Sequence, residues 1–460
     1  MAPAKTITMN WVDRARGREG PIYLALVRAI GDAIRAGELQ PGDRLPPQRA
    51  VAEHLGVDLT TVTRAYAAAQ AQGLVEGAVG RGTFVRAGAD EEDAGLVDLS
   101  MNLPPPPEGL SLGRLLRETT GAILERADAG ILMAYHPGFG TAGQRAAGER
   151  WLQPVLGPTA PERILVSPGA QAALAAVLAT ICKPGDPVVC EPLTYPGFLG
   201  VARQLGLRPI ACPTDEAGLL PAALEEICAR ERPRALYLAP SMQNPTAGTL
   251  PLDRREALAR IAERTRLWIV EDDPYSRLMQ APRPAIAALA PERTFHVATL
   301  SKCLSPGLRI AYLVCPPAFT ERVAEALRAL ALTPPPLTAA VATRWIQEGA
   351  ADALLNAVRA ETRARRALAA AALPQARGGA ENIHVWLPLP AGASAERLQL
   401  AAQARGLALV TAEAFAAAPE HPGGARISLG GPSQRGVLER ALKSLADALT
   451  DGVPVRRAVV

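Results

Sequence analysis

Lys302 lies in a segment whose side chains suit a cofactor that carries both an aldehyde and a phosphate. An amine forms a Schiff base with a carbonyl once it is deprotonated, and burial beside other cations favours the neutral amine. Thr299 and Ser301 flank the lysine with hydroxyl donors, and Arg309 follows with a guanidinium that matches a phosphate dianion. Pyridoxal phosphate carries both groups. Taken alone, the segment is also compatible with a surface lysine in a turn rich in Ser, Gly and Pro.

Carboxylates end an apolar, strand-like run upstream of this lysine. The run Trp268-Ile-Val-Glu-Asp-Asp-Pro-Tyr places Asp272 where it could keep a pyridine nitrogen protonated, which makes the ring an electron sink. Tyr275 follows closely and could hydrogen-bond a ring hydroxyl. Glu271 and Asp273 are alternatives to Asp272, because the spacing does not distinguish the three carboxylates.

Three further segments combine the end of a strand with a turn. Asn244 follows the run Ala235-Leu-Tyr-Leu and could reach the ring hydroxyl from the opposite side. A glycine turn before a helix directs the amides of Ala170 and Gln171 at an anion. Tyr195, on a loop after a strand, could stack on a flat ring. Each of these signals is weak when it stands alone, since such turns and tyrosines are more often structural.

Taken in order, these motifs resemble those of the class I/II aminotransferases, which are fold-type I pyridoxal phosphate enzymes. The series is Gly-x-Gln, Tyr-x-Gly, Asn-Pro-Thr, Asp-x-x-Tyr, Ser-Lys and Gly-Leu-Arg, and the resemblance runs from about residue 98 to the C-terminus. It implies that Lys302 carries the Schiff base and that Asp272 pairs with the ring nitrogen. It also implies that Asn244 and Tyr275 hold the ring oxygen, while Tyr195 stacks on the ring. The implied phosphate-binding residues are Ala170 through its amide, Gln171, Thr299, Ser301 and Arg309.

The same resemblance carries over two more residues and shows two departures. Arg426, in Ala-Arg-Ile-Ser-Leu-Gly, matches the arginine that grips the α-carboxylate of an amino compound. Tyr135 matches a tyrosine that such proteins lend to the phosphate across a dimer interface, which implies a homodimer with shared sites. Ala170 stands where the family has Ser or Thr, and Ala247 interrupts the usual Asn-Pro-Thr-Gly. The departures predict somewhat weaker phosphate binding.

The N-terminal region has a different pattern. An apolar stripe at helical spacing marks a first helix: Ile22, Leu26, Ile30 and Ile34. A second helix stops at Gly56, and Asp58 is the predicted N-cap of a third helix from Leu59 to Gln72. Residues 73–85 then predict two short strands around a glycine tip. Helix, short turn and helix form the helix-turn-helix pattern, here followed by a wing.

The string Leu39-Gln-Pro-Gly-Asp-Arg-Leu-Pro-Pro-Gln-Arg and the later Gly-Arg-Gly-Thr-Phe-Val resemble the GntR winged helix-turn-helix family. By this resemblance, residues of the second helix, the recognition helix and the wing approach DNA: Arg49, Thr60, Thr61, Thr63, Arg64, Gly80 and Arg81. The two halves together resemble the MocR-type subfamily of GntR regulators, in which a winged helix is joined to an aminotransferase-like body.

Three segments are predicted from these patterns. Residues 1–86 form the DNA-binding domain, 87–97 an acidic, glycine-containing linker, and 98–460 the aminotransferase-like domain. In the last segment, strand-like runs alternate with helices rich in Ala, Leu and Arg. This alternation is typical of an α/β fold with a mostly parallel sheet covered on both faces. A smaller C-terminal α+β subdomain is expected after the helical stretch 350–373.

Composition narrows the class of protein. With 460 residues, 48% hydrophobic and 20% charged, the chain is long enough for more than one domain. The formal net charge is only +4, so DNA affinity must come from a local patch and from dimer valence. The six cysteines show no paired metal spacing, and no metal site is predicted. There is no signal peptide and no long uncharged apolar run, so we expect a soluble cytoplasmic protein.

Three functions fit this sequence. The leading hypothesis is a DNA-binding transcriptional regulator that senses an amino compound by aldimine exchange at Lys302, so that DNA binding changes. Transaminase activity is then expected to be weak or absent. The second hypothesis is a working aminotransferase with an accessory DNA-binding domain, because Lys302, Asp272 and Arg426 are all retained. The third is a non-covalent sensor that has lost the cofactor chemistry.

Overall fold

The computed structural model describes most of the chain. The described residues are 9–16, 21–35, 38–40, 42–71, 74–78, 82–85, 96–126, 128–134, 139–390 and 393–452. Three residues of the predicted sites lie outside them: Gly80, Arg81 and Tyr135. The chain divides into two compact units, Met1–Leu96 and Val97–Val460.

The described part of the first unit contains a 3-10 helix (Met9–Ala15), three α-helices and a hairpin. Its elements are α1 (Ile22–Arg35), α2 (Gln48–Leu55), α3 (Leu59–Ala71), β1 (Val75–Ala78) and β2 (Gly82–Val85), with β1 and β2 antiparallel. Leu26 and Ile30 of the predicted stripe are fully buried and Ile34 is half-buried, whereas Ile22 is 45% exposed. Asp58 Oδ1 accepts a hydrogen bond from the Thr60 amide at 2.8 Å, which is the predicted N-cap contact.

The second unit contains the larger sheet and a smaller subdomain. Its strands are β3 (Val97–Asp98), β4 (Ile164–Ser167), β5 (Pro187–Cys190), β6 (Arg208–Ala211), β7 (Thr214–Asp215), β8 (Gly218–Leu219), β9 (Ala235–Leu238), β10 (Trp268–Asp272), β11 (Thr294–Thr299), β12 (Ala311–Val314), β13 (His384–Pro388), β14 (Leu407–Ala408), β15 (Val410–Thr411) and β16 (Gly424–Ser428). Its helices are α4 (Leu112–Leu124), α5 (Ala129–Leu132), α6 (Ala142–Leu156), α7 (Ala170–Ile181), α8 (Pro196–Gln204), α9 (Pro221–Glu231), α10 (Leu252–Thr265), α11 (Ile286–Leu289), α12 (Thr320–Ala331), α13 (Pro336–Glu348), α14 (Ala350–Ala372), α15 (Ala395–Gln403) and α16 (Arg435–Gly452).

Seven strands of the described residues form the larger sheet, in the order β4-β12-β11-β10-β9-β5-β6. Only β12 runs antiparallel to its neighbours, so the prediction of a mostly parallel sheet is confirmed. Neighbouring residues of one strand enter different core clusters. Val270 packs against α7 in one cluster, and Ile269 packs against α9 and α10 in another. Because successive strand residues point to opposite faces, both faces of the sheet are covered.

The smaller subdomain is α+β, as predicted. Strands β13, β16 and β15 form an antiparallel sheet, and α14, α15 and α16 contribute to the same apolar cluster. No helix within the described ranges is long and apolar enough to cross a bilayer. All six cysteines are free thiols, and the described side chains form no cluster suited to a metal ion.

Candidate functional site

The predicted cofactor residues converge on one edge of the larger sheet. They follow the carboxyl ends of β4, β5, β9, β10 and β11, which run in the same direction and therefore end at the same edge. Asp272, Arg309 and Arg426 lie close enough to Lys302 for their charges to shift its pKa, so the four groups surround a common space. The charges of the same aspartate and arginines also act on the pKa of Tyr195.

Lys302 has the environment that its predicted chemistry requires. Burial lowers the pKa of Lys302 to about 8, helped by the nearby cations Arg426 and Arg309 and opposed by Asp272. Its Nζ donates a hydrogen bond to the backbone oxygen of Asn102. A larger fraction of the amine is therefore neutral near physiological pH than in free lysine, and the neutral amine is the form that attacks a carbonyl.

Asp272 ends β10 with one carboxylate oxygen bound and the other unpaired. Its Oδ2 accepts a hydrogen bond from the Tyr237 hydroxyl at 2.7 Å. Its Oδ1 is buried and has no hydrogen-bond partner. Burial raises the pKa of Asp272 to about 6, against the opposing effect of the Tyr237 bond. A buried acceptor without a donor costs free energy, and the N–H of a protonated pyridine would satisfy it.

The two alternative carboxylates are engaged elsewhere. Glu271 accepts hydrogen bonds from two backbone amides at the start of α11, each at 2.9 Å, and lies 3.1 Å from His296 Nδ1. Asp273 accepts hydrogen bonds from the amide and the hydroxyl of Ser276. Of the three carboxylates, only Asp272 has a buried oxygen without a described partner. The geometry therefore favours Asp272 as the group that faces a ring nitrogen.

Tyr275 and Asn244 each act as a hydrogen-bond acceptor, which leaves a hydrogen-bond donor on each side chain available. The Tyr275 hydroxyl accepts a hydrogen bond from Asn102 Nδ2 at 2.8 Å, so its own proton is free to be donated. Asn244 Oδ1 accepts a hydrogen bond from Arg426 Nη1 at 2.8 Å, which leaves its amide hydrogens available. Arg426 also donates to the backbone oxygen of Ser100, while its buried Nε has no partner. These groups suit a ligand with a phenolic oxygen and a carboxylate.

Two glycines allow the remaining side chains to approach. Gly169, at φ 100°, precedes α7, and a Cβ on it would lie 2.6 Å from Arg309 Nη2. A Cβ on Gly197 would lie 2.2 Å from the Tyr195 ring and 2.4 Å from Gln171 Oε1. Both close contacts explain why the sequence has glycine in Gly-x-Gln and Tyr-x-Gly.

The predicted phosphate-binding groups differ in whether they already have hydrogen-bond partners within the protein. No side chain caps α7, so the amides of its first turn, beginning at Ala170, have no side-chain acceptor. Thr299 Oγ1 lies 3.0 Å from Ser301 Oγ, to which it donates, and both side chains are buried. The side chain of Gln171 is instead committed to the Gly197 carbonyl, to which its Nε2 donates at 2.8 Å.

Ala247 lies in a turn at the position where the sequence departs from Asn-Pro-Thr-Gly. Its φ is 62°, a left-handed conformation in which glycine is usual, and its amide donates to the Gln243 carbonyl at 2.7 Å. It packs with Leu193, Trp386 and Phe415. The alanine thus takes part in a tight turn and in an apolar cluster.

Three residues of this network are absent from the predicted site: Asn102, Tyr237 and His384. Asn102 Nδ2 lies 3.2 Å from His384 Nδ1, and His384 Nε2 lies 3.1 Å from the Gln243 carbonyl oxygen. Burial lowers the pKa of His384 to about 3, so the ring is neutral, and these partners match a proton on Nε2. The sequence could have pointed to Tyr237, because this residue lies in the strand-like run Ala235-Leu-Tyr-Leu, which forms β9 and pairs with β10. Asn102 had none, because 173 residues separate it from Tyr275.

The predicted DNA-binding residues lie on α2 and α3 of the first unit. Those that the structure describes are Arg49, Thr60, Thr61, Thr63 and Arg64, all exposed except the half-buried Thr61. The Thr63 hydroxyl donates to Gln48 Oε1 at 2.8 Å. The Arg64 guanidinium carbon lies 4.0 Å from the centre of the Tyr23 ring. The hydrogen bond of Thr63 therefore links α3 to α2, and the guanidinium of Arg64 stacks on an aromatic ring of α1.

Comparison with known proteins assigns both units to families. Residues 94–445 match the model of aminotransferase class I and II, and residues 22–85 match bacterial regulatory proteins of the gntR family. The uncharacterized HTH-type transcriptional regulator YdeF of Bacillus subtilis is 32% identical over an alignment of 454 residues, and the match covers 96% of this chain and 97% of that protein. The probable rhizopine catabolism regulatory protein MocR of Rhizobium meliloti is 30% identical over an alignment of 373 residues, and the match covers 73% of each protein.

A solved structure matches the second unit. It is LysN, the alpha-aminoadipate aminotransferase of Thermus thermophilus, complexed with N-(5'-phosphopyridoxyl)-L-leucine. The TM-score is 0.71 at 31% identity, and the match covers 78% of this chain and 92% of that chain.

Proposed function

The chain belongs to the MocR-type subfamily of GntR transcriptional regulators, and we propose that it changes its DNA binding in response to an amino compound bound near Lys302. The observation that carries the proposal is a lysine with a lowered pKa, beside a buried aspartate with an unpaired oxygen, in a chain that also holds a DNA-binding unit. A homodimer is part of the proposal, because Tyr135 matches a residue that serves the partner's site.

Pyridoxal 5'-phosphate is the cofactor of the aminotransferase-type domain. The side chains present fit it. Lys302 would hold the aldehyde carbon, Asp272 the ring nitrogen, Tyr275 and Asn244 the ring oxygen, and Arg309 the phosphate. When bound, the cofactor supplies an electron sink for the carbon beside the amino group of its ligand.

The protein's own groups would select the effector. Arg426 would bind a carboxylate, because its guanidinium is buried, held by Asn244 and Ser100, and still has an unpaired Nε. The neutral amine of Lys302 would remain beside the ligand as a proton acceptor. An effector that binds one arrangement of the protein more tightly than another shifts DNA affinity by that difference in binding free energy.

A catalytic aminotransferase is the second candidate function. The observation in its favour is that Lys302, Asp272 and Arg426 are all retained around one space, and that LysN is an aminotransferase. Under this alternative, the DNA-binding unit would be an accessory to turnover.

The experiment that tests the proposal is a visible absorption titration of the purified protein with a panel of amino compounds, repeated with a DNA fragment from beside its own gene. A band that shifts with one compound without keto-acid release, together with altered DNA affinity, is the expected result. Steady keto-acid production without an effect on DNA would establish the enzyme instead. The absence of any cofactor band would contradict both.

We expect pyridoxal phosphate to attach to the cofactor-free protein faster as pH rises, with the rate levelling off above about pH 8. The lowered pKa of Lys302 means that its neutral fraction grows around this pH, whereas a free lysine side chain titrates at about pH 10.4. Stopped-flow absorbance over a pH series measures the rate, with N-acetyl-lysine as the control. A protein rate that follows the control up to about pH 10 would show that burial does not activate this amine.

Arg64→Ala and Arg49→Ala are each expected to weaken DNA binding and to reduce the slope of log affinity against log salt by about one, as for a lost phosphate contact. Both arginines are exposed on the helices of the first unit. Fluorescence anisotropy at several salt concentrations measures the slope. Arg397→Ala removes an equally exposed arginine from the second unit and serves as the control. Slopes that match the control would remove these helices from the DNA-binding face.

A further inference from the structure

A cavity of about 470 Å³ lies in the aminotransferase-type unit, beside the turn that carries Asn244. Its walls come from the loop after β5, the β7–β8 hairpin, the turn 243–250 and the smaller subdomain. Lys302, Asp272 and Arg426 do not line it. It is therefore distinct from the space around Lys302, and its volume suits a small organic ligand.

The inner wall of this cavity carries a buried carboxylate. Glu191 is 4% exposed, and its Oε2 accepts a hydrogen bond from Gln243 Nε2 at 3.2 Å. Burial raises the pKa of Glu191 to about 7, opposed by the bond from Gln243. A carboxylate held in a cavity in this way is stabilised by a cationic donor, and an ammonium group supplies both the charge and the hydrogen bonds.

The opposite charge comes from the smaller subdomain. The Arg377 backbone is fixed by two hydrogen bonds to Trp386, at 2.7 and 3.0 Å. Arg377 is one of the residues that line the cavity, and its guanidinium forms no ion pair with any residue that the structure describes. Asp215, also in the wall, is already paired with Arg254 at 2.9 Å. Arg377 is therefore free to bind a carboxylate.

From these groups we infer a second, non-covalent site for an amino acid zwitterion, with its ammonium at Glu191 and its carboxylate at Arg377. Leu193 and Trp386 also line the cavity and provide an apolar wall for the side chain of the ligand. This site goes beyond the proposed function, which concerns the ligand at Lys302.

The position of the cavity connects it to the cofactor site. Gln243 donates to Glu191 and to the Leu193 carbonyl, and its backbone oxygen lies 3.1 Å from His384 Nε2. The next residue, Asn244, is bound to Arg426. A ligand that reorients Glu191 or Gln243 therefore acts on the turn that holds Asn244.

Isothermal titration of borohydride-reduced holoprotein tests this site. Reduction turns the bond between Lys302 and the cofactor into a stable amine, so added amino compounds cannot exchange there. L-norleucine is the probe, and hexanoate and pentylamine each lack one of its two charged groups. We expect norleucine to bind, and each analogue to bind at least about tenfold more weakly.

Glu191→Gln and Arg377→Gln are each expected to weaken norleucine binding by about tenfold or more, with Arg397→Gln as the exposed control. Arg377 is exposed, so its replacement leaves the core intact even if the Glu191 variant folds poorly. Absence of norleucine binding would overturn the inference, as would binding that both variants retain and Arg426→Gln abolishes. If no cofactor is incorporated, the proposed function fails, while the dependence on Glu191 and Arg377 still tests the cavity in untreated protein.

Discussion

Replacing Lys302 with alanine is expected to abolish the visible absorption band of the bound cofactor while DNA binding without effector persists. Lys302 is buried near Asp272, whereas Lys183 and Lys443, the other lysines that the structure describes, are exposed, so neither is placed to substitute for it. The DNA-binding helices belong to the other compact unit, which has its own apolar core. Absorption spectra and anisotropy on the same protein preparation measure the two properties.

Lys183→Ala is the matched control, since it removes an exposed lysine from the same unit. It should retain both the band and DNA binding. A band that survives in Lys302→Ala would assign the Schiff base to another residue. Loss of DNA binding in a variant that keeps its circular dichroism spectrum would show that the two units depend on each other.

Arg426→Lys is expected to weaken the binding of a carboxylate-bearing effector by about 10- to 100-fold, the equivalent of about 1.5–3 kcal/mol for a hydrogen bond to a charged group. Lysine keeps the positive charge but not the planar fork that binds a carboxylate through two parallel hydrogen bonds. The expected loss of affinity therefore comes from the changed geometry of the side chain. Arg426 is buried, and hydrogen bonds to Asn244 and Ser100 fix its orientation.

The band shift measures this effect, with an effector and its decarboxylated amine compared on both proteins. The amine should bind the variant and the parent with similar affinity, because it makes no use of the fork. If the two ligands lose affinity equally, Arg426 supports the cofactor and does not recognise the effector.

The sequence was sufficient to predict the fold class. It was also sufficient to predict that the site residues which follow parallel strands belong to one site. Asp272 ends one apolar run, Lys302 and Asn244 lie in the turns that follow two others, and parallel strands end at one edge of a sheet. Asn102 and His384 were not predicted as site residues, because they come from distant segments of the chain. They contribute through a chain of hydrogen bonds that local sequence spacing does not reveal. The choice among Glu271, Asp272 and Asp273 also needed the structure, because only the partners of each carboxylate separate them.

The DNA-binding unit shows the same limit. Helical periodicity and the Asp58 cap identified its elements, since both are local signals. The hydrogen bond from Thr63 to Gln48 and the stacking of Arg64 on Tyr23 join different helices. Whether a polar side chain on a recognition helix is free or already engaged is thus set by packing and not by its place in the motif.

The unpaired oxygen of Asp272, which the ring N–H of the cofactor would satisfy, makes the stability and hence the cellular concentration of this protein depend on the cofactor. A ligand that binds only the native state stabilises it by mass action, so newly made chains without cofactor spend more time unfolded. Unfolded chains are removed by proteases, and small changes in stability alter abundance several-fold. The supply of pyridoxal phosphate would then set the copy number of the regulator as well as its response.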